Sequence, residues 1–188
     1  MKKILLLVCA LLLSQGASAV QVGGVNLDSK IQLGKQELVL NGAGVRTKVV
    51  FDIYVAALYL GAKTTKAEAV LADAGSKRVA LHLLYSMSSA KLMAAFKSAI
   101  EANHSEAELK AMDAALNKFY AIFNSIPDVN AGDVILLDYL PEAGTKVTVN
   151  GVDRGTVEGA EVNHALLRIW LGNKPVQDDL KKDLLHSW

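Results

Sequence analysis

The stretch LNGAGVRTKVVFDIYVAALYL, residues 40–60, decides the architecture of this chain. Gly42 and Gly44 bracket a turn, since glycine is the residue that turns tolerate best. From 47 to 60 the pattern is that of one long strand. Thr47, Val49, Phe51, Ile53, Val55, Ala57 and Tyr59 share an almost wholly apolar face, and Lys48, Val50, Asp52, Tyr54, Ala56 and Leu58 share the other with Arg46. A strand this long is expected to carry a bulge or bend. Arg46 stands where turn becomes strand. A cation there must reach solvent or find an acceptor. Either it forms a structural salt bridge, with Asp52 or Glu37, or its fork grips a ligand carboxylate or enolate oxygen. Tyr54 has the same parity eight residues on. At about 3.3 Å per residue the two lie roughly 26 Å apart on an extended strand, so only a strong bend or a long pocket would unite them.

Outward from this block, residues 20–40 read as short strands broken at Gly23-Gly24 and Gly34, and 78–84 as a further strand. Ser88 and Ser89 offer N-cap oxygens to a helix with Leu92, Met93, Phe96, Ala99 and Ile100 inward. Ser105 with Glu108 forms a capping box that opens a second helix, carried by Leu109, Met112, Leu116, Phe119 and Phe123. Residues 133–139 are a strand apolar enough to be central. Asn150-Gly151 turns a hairpin between 146–149 and 152–157. A third helix with Val162, Leu166, Ile169 and Trp170 stops at Gly172, and a last one follows Pro175, lined by Val176, Leu180 and Leu184. Strands at both ends with helices between and after them predict an α+β fold: a large antiparallel sheet with a helical layer on one face, and a pocket between the layers.

The ends and the composition narrow the function. Lys2 and Lys3, the apolar run 4–13 and the small residues Ala17-Ser18-Ala19 read as a cleaved signal peptide, residues 1–19, followed by one domain, 20–188. That places the mature protein in the periplasm or outside the cell. Cys9 is the only cysteine, so the mature chain has no disulfide and stands on its core. Loss of Lys2 and Lys3 takes the formal charge from +1 to −1, and no basic stripe remains for a nucleic acid. No later apolar run is long enough for a membrane span, and no helix has a lysine-rich polar face, so no stable membrane insertion is expected after cleavage. His82, His104, His164 and His186 lack metal-ligand spacing, and the Gly42/Gly44 pair lacks the third glycine and following helix of a phosphate loop. Asp128, Asn130 and Asp133 lack the glycine and glutamate of a calcium loop. No metal and no cofactor are expected.

Taken with SSAKLMAAFKSAI (88–100), GDVILLDYLP (132–141), VTVNG (147–151) and ALLRIWLGNKPVQDDLKKDLL (165–185), the opening block resembles the bacterial chalcone isomerase-like proteins over essentially the whole mature chain. The resemblance implies a large antiparallel sheet and a helical layer enclosing a cleft. In the plant isomerases an arginine near the start of the long strand stabilises an enolate, and Arg46 matches it. The other catalytic positions fall on Tyr54, Ser88, Ala95 and Ile169, where the isomerases carry threonine, tyrosine, asparagine and a hydroxyl. Other branches hold a fatty-acid carboxylate with the arginine and a tyrosine; Ser88 stands at that tyrosine, and Tyr54 or Tyr85 would replace it. The resemblance therefore implies ligand binding by Arg46, Tyr54, Tyr85 and Ser88 more than turnover. Three expectations follow: an exported protein that binds a small amphipathic or fatty acid-like molecule; an isomerase of the intramolecular lyase type acting on a conjugated carbonyl, with Arg46 on the enolate; and a structural or partner-binding envelope protein.

Overall fold

A computed structural model describes residues 19–186. Two short strands, β1 (Ala19–Val22) and β2 (Val25–Asp28), pair as a ribbon. The main sheet is an antiparallel meander of seven strands in chain order: β3 (Lys30–Leu33), β4 (Gln36–Lys48), β5 (Phe51–Leu60), β6 (Lys77–Leu83), β7 (Val134–Leu140), β8 (Gly144–Val149) and β9 (Val152–Val157). Between and after them come α1 (Ala67–Ala72), α2 (Ser89–Ala102), α3 (Glu106–Ala111), α4 (Asp113–Asn124), α5 (Glu161–Leu171) and α6 (Asp178–Leu184). The signal peptide read at residues 1–19 lies outside the described range except for Ala19, the first residue of β1.

Strand alternation sorts the core into two layers. Tyr54, Ala56, Leu58 and Leu60 of β5 face the helices and join Phe96, Phe119, Phe123, Ile169 and Trp170. Val55, Ala57 and Tyr59 face the other way, against Leu27, Leu38 and Leu40 and under the β1–β2 ribbon. The α+β class and the helical layer on one face are those the pattern predicts. The Ser105–Glu108 capping box forms, but its helix breaks at Met112 into α3 and α4. Pro175 lies upstream of α6, whose N-cap is Gln177.

The decisive block folds differently from its reading. No turn occurs at Gly42 or Gly44: β4 runs straight through both. A Cβ at Gly42 would collide with the backbone of Asp183 and Leu184, and one at Gly44 with the Asp183 side chain. These glycines let α6 lie against the strand, a close approach that only glycine permits. The chain reverses instead at Val49-Val50, a two-residue loop between the partners Lys48 and Phe51. Residues 47–60 are thus not one strand but the end of β4, a tight turn and β5. Such loops require positive φ and favour glycine or asparagine. Val49 nevertheless sits at φ 60°, so neither residue type marked the turn.

Candidate functional site

The reversal brings Arg46 and Tyr54 together. They are direct cross-strand partners, which places their Cβ atoms about 5 Å apart on one face of the sheet. The 26 Å of an extended strand vanish because the hairpin folds the two halves onto each other. A register shift follows immediately, with Thr47 pairing to Asp52 and Ile53 left as the extra residue of a bulge. The carbonyl of Ile53 turns to accept from Leu84 and Tyr85 N–H, and the bulge re-aims the side chains beside it.

Arg46 is held by an element 130 residues away. Gln177, the N-cap of α6, takes up the β4 backbone on both sides of it. Its Oε1 accepts from Thr47 N–H at 2.9 Å and its Nε2 donates to Val45 C=O at 3.3 Å. The same Oε1 accepts from Arg46 Nη1 at 3.1 Å, and that nitrogen also donates to Thr47 C=O at 2.6 Å. Arg46 Nε and Nη2, the edge of the guanidinium that matches a carboxylate, have no hydrogen-bond partner among the described residues. Among the described residues no carboxylate pairs with Arg46 either: Glu37 binds Lys30, and Asp52 accepts from the Thr47 hydroxyl.

Tyr54 is buried, and its hydroxyl oxygen accepts from Trp170 Nε1 at 3.0 Å. That leaves its own proton free to donate. Burial pushes its pKa up from 10 to about 12, against smaller opposing effects of the Trp170 hydrogen bond and the Arg46 charge. Tyr54 is therefore a neutral phenol, a donor and not a base, throughout the physiological range.

Both groups open into a cavity of about 330 Å³ between the sheet and α2. Helical spacing puts Lys91, Leu92, Ala95 and Phe96 of α2 on its wall. Ile53, Met87, Ile169 of α5 and Val176 also line it, and the exposed Lys48, Tyr85, Ser86 and Lys91 mark its rim. Away from the polar rim the lining is apolar except for Arg46 and Tyr54, which suits a molecule with one anionic end and a hydrocarbon body.

Of the residues singled out from sequence, Arg46, Tyr54 and Tyr85 line this cavity. Ser88 does not; it caps α2, its oxygen accepting from Lys91 N–H at 3.3 Å. Ala95 and Ile169, which stand at isomerase catalytic positions, are on the wall and apolar. His82 lies on the opposite face of the sheet, as the partner of Val55, where burial lowers its pKa. Gln177 and Trp170 are the positioning residues that the sequence did not reveal. A glutamine beside a helix start looks like any cap, and nothing local points to a strand 130 residues earlier.

A family model described as chalcone isomerase-like matches residues 19–186. No curated protein sequence matches the chain. Among solved structures, a fatty-acid binding protein of Arabidopsis thaliana superposes with a TM-score of 0.69, covering 89% of this chain and 96% of that one at 17% identity. At that identity the likeness is one of fold.

Proposed function

The chain belongs to the chalcone isomerase-like family, and we propose that it is a binding protein for a small amphipathic or fatty acid-like molecule, acting without turnover. The observation that carries this reading is the Arg46–Tyr54 pair: an uncommitted guanidinium edge and a free phenolic proton, side by side at a cavity that is apolar away from its rim. Arg46 would take the carboxylate by two charge-assisted hydrogen bonds and Tyr54 would add a third. The hydrocarbon would run along Leu92, Phe96, Ile169 and Val176. A volume of 330 Å³ is at the small end of ligand pockets, about 300–1,000 Å³, and favours a short or medium chain. The fold shared with a fatty-acid binding protein supports the same class of ligand. The leader-like residues 1–19 support a site of action in the periplasm or outside the cell.

Isomerisation of a conjugated carbonyl would use Arg46 on an enolate, but it also needs a group to exchange a proton at carbon. Tyr54, with its pKa near 12, is a poor base, and Ala95 and Ile169 offer nothing to transfer. A purely structural role would leave Arg46 paired in a filled core, unlike its uncommitted edge at a cavity. Native mass spectrometry of gently purified protein, with thermal shift on adding saturated carboxylic acids of graded length, tests the binding reading. A retained acid or a length-dependent rise in Tm is expected. An empty protein that no acid stabilises would overturn it.

A further inference from the structure

Val49, Val50, Phe51 and Tyr85 are 89%, 77%, 53% and 45% exposed. They form one patch: the first three are the tip of the β4–β5 hairpin, and the Phe51 and Tyr85 rings pack with centroids 5.4 Å apart, tilted at 54°. The apolar tip is not a requirement of the turn. The other two-residue hairpins among the described residues, at Gly23-Gly24, Gly34-Lys35 and Asn150-Gly151, place glycine or asparagine at their positive-φ positions. The β4–β5 loop instead holds a β-branched valine at φ 60°, a conformation such residues resist, and projects three hydrocarbon side chains into water.

Cations flank the patch. Lys48 is the cross-strand partner of Phe51. Lys91 shares the cavity rim with Lys48 and Tyr85. Both lysines are exposed, and neither has an ion-pair partner among the described residues. Asp52 accepts from the Thr47 hydroxyl and Asp128 from Ser89 N–H, and neither forms an ion pair with these lysines. Apolar side chains at a narrow projecting tip, with free lysines behind them, fit the boundary between the acyl chains and phosphates of a bilayer. A flat or grooved protein surface would call for a broader face.

We propose that the β4–β5 tip with Tyr85 docks this protein reversibly on an anionic phospholipid surface. Val49, Val50 and Phe51 enter the acyl boundary, and Lys48 and Lys91 meet lipid phosphates. This is peripheral docking: no helix among the described residues is long and apolar enough to cross a membrane. The cavity rim, which carries Lys48, Tyr85 and Lys91, would then face the bilayer, so that an amphipathic ligand passes between lipid and pocket. The docking surface does not depend on what fills the cavity and is tested without any added acid.

The test is co-sedimentation of the full mature chain with phosphatidylcholine vesicles, with and without phosphatidylglycerol. Binding is expected to the anionic vesicles and to weaken with added salt. Val50→Ser with Phe51→Ser is expected to abolish it, and Lys48→Glu with Lys91→Glu to reduce it roughly tenfold or more. Trp170, buried against Phe96, reports through its emission that each variant has folded. As a second measurement, Phe51→Trp is expected to shift its emission to the blue on adding anionic vesicles. Wild-type protein that stays in the supernatant with every vesicle would overturn the proposal. So would a folded Val50→Ser, Phe51→Ser variant that binds as well as wild type, or a Phe51→Trp emission that anionic vesicles leave unchanged.

Discussion

Gln177 does more for the site than its place at a helix start suggests. Its Oε1 receives Thr47 N–H and Arg46 Nη1 together, so one atom closes the bulge and aims the guanidinium. Gln177→Glu keeps the acceptor, loses the donor to Val45 C=O and adds a charge. The new carboxylate would hold Arg46 as an ion pair and compete with the ligand, so acid affinity is expected to fall tenfold or more, while the lost Val45 hydrogen bond costs about 1 kcal/mol of stability. Calorimetry beside thermal denaturation separates the two effects. Tyr54 makes a pH-dependent contribution. Its folded pKa is about 12 against 10 ordinarily, chiefly from burial, and Tyr59 is raised likewise. Between those values the unfolded chain has lost protons that the folded one keeps. Stability is therefore whole below pH 10 and is lost as pH rises through 12, by roughly 2–3 kcal/mol for a two-unit shift. Chemical denaturation across pH 9–12 should show that fall, and Tyr54→Phe should flatten part of it. Arg46 could be picked out from sequence because a cation in an apolar strand demands an explanation. Its partner Tyr54 could not be placed, because parity along one strand says nothing about a neighbour across a hairpin.

The β4–β5 hairpin carries both the site and the surface patch. Its turn was invisible because turn recognition relies on glycine, asparagine and proline, and Val49-Val50 supplies none. Alternation continues through residues 47–60 as though the strand never ended. The opposite error concerned Gly42 and Gly44, whose turn-like look conceals a packing role against α6. Gly42→Ala should thus behave as a severe overpacking change, destabilising by about 2–3 kcal/mol and lowering Tm by several degrees. Val49→Asn should do the reverse. Asparagine tolerates positive φ, so relieving Val49 is expected to stabilise the fold by about 1 kcal/mol, while vesicle binding weakens. A protein that gains Tm and loses lipid affinity through one substitution would show that the strained valine is kept for docking.

Sheet and helices were readable as classes because hydrophobic periods of 2 and 3.6 survive in most long elements, β4 excepted, and the Asn150-Gly151 hairpin is marked by its own residues. The closure of the molecule was not readable. It depends on α6 returning to β4, where Asn41 Nδ2 donates to Leu184 C=O at 2.8 Å and Gln177 joins the strand at Arg46. That return links the last element to the first long strand and sets the uncommitted edge of Arg46 at the cavity. The direct test is calorimetric titration of wild type and Arg46→Ala with a saturated carboxylic acid and with the alcohol of equal length. The wild type should bind the acid about 10–100-fold more tightly than the alcohol. In Arg46→Ala that preference should vanish while the alcohol affinity holds. Equal binding of acid and alcohol by the wild type, or an acid preference that persists in Arg46→Ala, would show that Arg46 holds no carboxylate.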